Sequence, residues 1–287
     1  MSKLDEIAAY RPQDVDEAVD AMHDALVYFH RESDHRAIFA RAYYLITLSV
    51  RQAVYQRGAY DRRIFFDAQW IKRLAGKFAS LYFQSLTTDQ RPGERAWKIA
   101  HRLAGSREAS VFQNMLLGLN AHINYDLAYG IYQNLKEFDD GRDHLLLPHR
   151  KFDHDQVNNI LVDSIPIIET TLTRDYGGEV KLLSELSKGL DEVLGDMGLK
   201  CYRERVWWAA ISFLSTSDDA QIDLVHARLD WESAQLAESL SLDNTTLQRI
   251  KRHVVTLFSK NKFGPIELEP ADFVRPPDRP AQVAHPF

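Results

Sequence analysis

Cysteine is almost absent: Cys201 stands alone in 287 residues, which excludes an internal disulfide and any metal site built from several thiolates. In GLKCYRERVWW it falls within a helical pattern and reads as a small packing residue rather than a nucleophile. No stretch approaches the roughly 18 uninterrupted apolar residues that a membrane span requires. The opening residues, MSKLDEIAAYRPQDVDEAVD, carry neither an apolar signal core nor an Arg-rich amphipathic pattern, so a cytoplasmic protein is expected. Positive charge is also in short supply. The formal net charge is −6, and Lys and Arg are scattered among Asp and Glu, leaving no basic field to hold a phosphate backbone; nucleic acid is not an expected partner. No Walker A loop, Rossmann fingerprint, GxSxG elbow or HExxH pair occurs.

Strict alternation of apolar and polar residues is scarce too, whereas apolar residues recur at three and four over most of the length. The expected fold class is therefore all-α, a single-domain bundle of about nine or ten helices. Val15, Val19, Met22, Leu26 and Phe29 make one stripe of a helix ending near HRESD. Further helices are expected from about Asp34 to Gln56, from about Phe66 to Thr87, and through GERAWKIAHRLAG. FARAYY at Phe39–Tyr44 and FASLYF at Phe78–Phe83 echo each other with equally spaced rings, a pattern suited to close helix packing. A long, buried central helix is expected over roughly Glu108 to Phe138. A following helix carries DHDQVNNILVDSIPIIETTL with Pro166 as a kink or offset, and three or four more cover Glu179 to Lys260. No linker divides residues 1–262, and the proline-rich tail 263–287 cannot continue a helix.

On the central helix Asn114, Gly118, His122, Asp126 and Gly130 fall at intervals of four, along a line bordering the apolar stripe Met115, Leu119, Ile123 and Leu127. Glycines one turn before the histidine and one turn after the aspartate leave room for a ligand, a metal or a crossing helix. A metal would need more than two ligands. HRKFDHDQVNN supplies His149 and Asp153 at the same spacing, so two antiparallel helices would present His122, Asp126, His149 and Asp153 to one divalent ion, Zn, Fe or Mg. The structural alternative is a satisfied polar knot where helices cross. The similar pairs His30/Asp34 and His226/Asp230 sit among surface charges and read as solvated. Trp207 and Trp208 are either core or pocket wall; a pocket would combine Trp207 with Tyr43, Tyr82 and Tyr125. Asp139, Asp140 and Asp143 spell the DDxxD that isoprenoid enzymes use for magnesium and diphosphate, but NNILVDSIPIIE lacks the second motif of those enzymes, and a solvated turn explains the cluster equally.

GLNAHINYDL, preceded by VFQNML and followed by DHDQVNNIL, resembles the hallmark of a bacterial and fungal family known as the domain of unknown function 5995. An FAxxY segment with a threonine four beyond (Phe39 to Thr47), a second at Phe78 and the helix YRERVWWAA extend the likeness over roughly residues 35–215. The resemblance implies that Asn120, Ala121, His122 and Asp126, with Asp153, Val157 and Asn158, are the family's recurring positions. It supplies no activity. A fainter similarity is to helical zinc-dependent phospholipase C and single-strand nuclease proteins, where a His-x-x-x-Asp on a helix joins a metal cluster; the second His-rich helix and the N-terminal Trp of that group are missing here.

The sequence thus leads to an enzyme acting on a small, largely apolar metabolite in an interhelical pocket. His122 is the expected acid or base, oriented by Asp126, with Asp153 as a second carboxylate and Asn120 and Asn158 as polar anchors. The alternatives are a non-catalytic ligand-binding or structural helical protein, and a diphosphate-handling enzyme using the DDGRD turn.

Overall fold

A computed structural model describes residues 2–87, 94–138, 145–176, 196–241 and 263. Among them there is no strand. The helices are α1 (Lys3–Ala8), α2 (Val15–Arg31), α3 (Arg36–Val54), α4 (Ala68–Ser85), α5 (Arg95–Ser106), α6 (Val111–Ala121), a π turn (His122–Asp126), α7 (Leu127–Phe138), α8 (Leu147–Tyr176), α9 (Asp196–Leu214) and α10 (Asp219–Ser241). No helix among the described residues is long and apolar enough to cross a membrane. The DDGRD cluster and the tail beyond Phe263 lie outside the described residues, as do most of the helices expected between Glu179 and Asp196 and after Ser241.

Helix starts follow local chemistry. Asp14 accepts from the N–H groups of Asp16 and Glu17, and Asp67 from those of Gln69 and Trp70. Ser110 and Gln113 close a reciprocal capping box at α6. The stripe Val15, Val19, Met22, Leu26 and Phe29 is buried as its spacing predicts, against α3 and α4. α8 runs through Pro166, whose ring lies on the exposed side; the missing N–H there costs less where water can serve the orphaned carbonyl. The short α1, which the sequence pattern did not suggest, is held by a capping box of Ser2 and Asp5.

The central segment α6–π–α7 is enclosed by α3, α4, α5, α9 and α10. Gly118 is required there: a Cβ would lie 2.3 Å from Cγ of Phe39, so the glycine lets α3 cross α6 at close range. Gly130 differs, since a Cβ would meet its neighbours at no less than 3.7 Å.

Several surface expectations need correction. Cys201 is exposed and packs no core. Trp208 is exposed while Trp207 is buried, a separation of roughly 100° that adjacent residues on a helix must have. His30 is buried against Tyr176 and Phe263, and Asp230 is buried while binding the backbone N–H and the guanidinium of Arg95. Neither pair is simply solvated, because charge-rich local sequence does not disclose a helix docking on that face.

The two central glycines generate a test. Gly118→Ala is expected to lower unfolding stability by about 1–3 kcal/mol through overpacking against Phe39. Gly130→Ala is expected to be neutral or to raise stability by up to ~1 kcal/mol, as helix propensity dictates. Urea denaturation of the two variants checks the contrast.

Candidate functional site

The polypeptide hydrogen-bond pattern changes at His122. The N–H of Leu127 donates to the carbonyl of His122, five residues back, and His122–Asp126 forms a single π turn inside an otherwise α-helical segment. Such turns are rare and are frequently retained at functional sites. Within it, His122 Nδ1 lies 2.9 Å from Asp126 Oδ2, and Trp97 Nε1 donates to the same oxygen at 2.9 Å. Because a carboxylate only accepts, the imidazole carries its proton on Nδ1 and presents Nε2 as a lone pair. That Nε2 is buried and has no hydrogen-bond partner among the described residues.

Aromatic rings close around it. Phe78 stacks on the imidazole with centroids 3.5 Å apart and planes 8° apart. Tyr43 meets it edge-on at 4.5 Å, with Phe39 at 5.8 Å and Tyr82 and Trp97 at 6.0 Å. The sequence echo has its explanation here. Phe39 and Tyr43 on α3, and Phe78 and Tyr82 on α4, are two i, i+4 ring pairs that converge on one histidine. His122 is 2% exposed and Asp126 0%, and burial holds the imidazole well below its ordinary pKa. The ring is therefore neutral. Burial likewise pushes the hydroxyl of Tyr43 well up, with the Asp126 carboxylate as the next cause.

The other expected residues go elsewhere. Asp153 is 0% exposed, and both its oxygens are engaged, accepting from the backbone N–H of Phe66 at 2.5 Å and of Asp67 at 2.8 Å. It ties α8 to the start of α4, where Arg150 also binds Asp67 at 2.7 Å. Burial raises its carboxyl pKa despite those two donors. His149 stacks flat on Phe66 with centroids 3.8 Å apart. Both thus stand at the N-terminal end of α4, while Phe78, over His122, lies eleven residues further along it, roughly 16 Å at 1.5 Å per residue. The facing His-Asp pairs are not realised: among the described residues no three His, Cys, Asp or Glu side chains gather to hold a metal ion. A surface cleft of about 290 Å³ does adjoin this end, lined by Ala53, Val54 and residues 63–69 among others, away from the imidazole.

Asn120 donates to the carbonyl of Ser233 at 2.8 Å and accepts from Asn124, fixing the central segment to α10. Tyr125 joins Tyr129 in a separate ring cluster, with its pKa raised to about 12 mainly by burial. Trp207 lies beside His154, centroids 5.4 Å apart, and Asn158 is buried on α8 with Oδ1 unpartnered. Trp97 is the site residue that sequence reasoning missed. Its helix showed only a tryptophan on an amphipathic face, and nothing local ties that indole to a carboxylate 29 residues on.

Two expectations follow from these contacts. Asp153→Ala should cost roughly 1–3 kcal/mol by stranding two backbone donors, seen as a lower urea midpoint, with Asp153→Asn intermediate. The buried histidines set the acid response. His101 and His154 are lowered to about 3, chiefly by burial, and His122 is lowered as well. A ring kept neutral in the fold binds fewer protons than in the unfolded chain. Its stabilising contribution is complete above a pH of about 6.5 and declines below it, by up to ~1.4 kcal/mol per pH unit per ring. Asp155, held low by His154 and Lys151, adds its own loss only below the ordinary carboxylate range. Urea midpoints are expected to fall from pH 7 to pH 5, with a shallower slope in His154→Gln.

A family model matches residues 15–242, well over half of the chain, and spans every segment that carried the resemblance. No curated protein and no solved structure matches. The His122–Asp126–Trp97 arrangement, the two converging ring pairs and the Asp153 tie between helices thus lie inside the matched span, and the chain belongs to the family of unknown function DUF5995.

Proposed function

We propose that the protein is a cytoplasmic enzyme that takes a small, largely apolar molecule among α3, α4, α5 and the π turn, with Nε2 of His122 as the group that acts on it. The observation that carries this reading is the buried, unpartnered Nε2 of a neutral imidazole whose other nitrogen is committed to Asp126. Leaving a polar atom buried and unmet costs on the order of 1–3 kcal/mol, and the π turn adds a local departure from the regular helix at the same residues. Both are departures from optimal packing, and such departures are commonly kept for function.

The chemistry that suits this arrangement is proton acceptance. A ligand O–H or acidic C–H presented to Nε2 passes its proton to the lone pair, and the resulting imidazolium keeps its Nδ1 proton against Asp126. The carboxylate offsets part of the cost of charging a buried ring, and Trp97 holds it in place. The walls of Phe39, Tyr43, Phe78 and Tyr82 favour an apolar body, and the two phenols are kept protonated by burial. The cytoplasmic assignment is supported by the single cysteine.

A second reading is favoured by one observation. Phe78 lies flat on the imidazole at 3.5 Å, as it would in a polar knot that only holds helices together.

Carbethoxylation by diethyl pyrocarbonate, mapped on peptides, separates the two. The reagent modifies neutral imidazole nitrogen and is small enough to follow a ligand's path. Labelling of His122 in the native protein, lost in the presence of a bound apolar ligand, is expected. Labelling of His122 only after urea unfolding, with half-exposed His23 labelled throughout as the reference, would exclude the enzyme reading and leave the knot.

A further inference from the structure

A second group of unmet polar atoms lies between α8 and α9, independent of the His122 reading. Arg203, in α9, is 4% exposed. Its Nη2 donates to the backbone carbonyl of His154 at 2.7 Å, and its buried Nε has no partner among the described residues. The acid that senses its charge, Asp155, forms no hydrogen bond with it. Both Asp155 oxygens serve Lys151, at 2.8 and 2.6 Å, and one also faces Nδ1 of His154 at 3.2 Å. Among the described residues the guanidinium is thus a buried cation without a carboxylate in contact, a costly arrangement that a chain of the same shape would improve by carrying an apolar residue there.

Two acceptors lie on α8, which packs against α9. His154 is 0% exposed; with its Nδ1 proton turned to Asp155, its buried Nε2 is a lone pair without a partner among the described residues. Asn158, one turn on along the same face of α8, has a buried Oδ1 with no partner among the described residues. Trp207, one turn after Arg203, packs beside the His154 ring. A guanidinium whose Nε is unmet among the described residues and two unmet acceptors define the complement: an oxyanion for the guanidinium, with an O–H beside it for the acceptors.

We propose that Arg203, His154 and Asn158 form a binding site for a small oxyanion that carries an adjacent hydroxyl. A 2-hydroxycarboxylate and monohydrogen phosphate both have this chemistry. The carboxylate or phosphate oxygens lie on Arg203, and the O–H donates to Nε2 of His154 or to Oδ1 of Asn158.

Thermal unfolding of the full chain, titrated with sodium lactate, sodium propionate or sodium phosphate at constant ionic strength set with chloride, tests the site. The wild-type midpoint is expected to rise saturably with lactate or with phosphate, whichever arm responds naming the ligand class. Propionate, which lacks the hydroxyl, is expected to bind at least ~10-fold more weakly than lactate if the carboxylate arm responds. Arg203→Met is expected to abolish the response while leaving the anion-free midpoint equal or higher. Arg203→Lys, which keeps the charge and loses the fork, is expected to weaken binding at least ~10-fold, and it carries the comparison if the methionine variant does not fold. A wild-type midpoint indifferent to both lactate and phosphate overturns the proposal, and so does an undiminished response in either Arg203 variant.

Discussion

The hydrogen bond from His122 Nδ1 to Asp126, made inside a π turn and sealed from water, is the constraint on which the central architecture turns. A carboxylate at 0% exposure needs donors, and its Oδ2 recruits them from different helices: the imidazole on its own segment and the indole of Trp97 on α5. That requirement brings α5 against the central segment. The imidazole then becomes the object on which α3 and α4 pack, each contributing a Phe and a Tyr one helical turn apart. Gly118 completes the arrangement by letting Phe39 approach where any side chain would collide. A polar pair thus organises the most aromatic part of the core.

The DHDQVNN segment shows how neighbouring residues on one helix serve different ends. Asp153 turns towards α4 and saturates two backbone donors there, tying the two helices together. His154, the next residue, turns towards α9, where Arg203 and Trp207 meet it. The roughly 100° between successive side chains is enough to send one to a finished hydrogen-bond network and the other to an unfinished one. The distinction between satisfied and unsatisfied buried polar atoms sorts the residues better than their chemical type does. Asp153 and Asn120 are fully engaged in holding elements together, whereas His122, His154, Asn158 and Arg203 each keep a buried atom unmet. Buried polar groups are normally paired, so each of these atoms is a departure from the rule.

How far the sequence could be read depended on whether the signal was local. The periodicity of apolar residues determined the all-helical class, the extent of α2, α3, α4 and α5, and the burial of the central segment, because a helix exposes or hides its faces according to a repeat that is written in the chain itself. It also determined that His122 and Asp126 share a face, and the family phrase around them carried membership. Only the tertiary structure decided which helix each face met. It separated His149 and Asp153 from His122, gave Asp126 its indole, turned the echoed FARAYY and FASLYF segments into two walls of one enclosure, and left Nε of Arg203 unmet among the described residues. A side chain's partner across helices depends on crossing angles and registers that no local repeat encodes, and for that reason the pair was visible in the sequence while its surroundings were not.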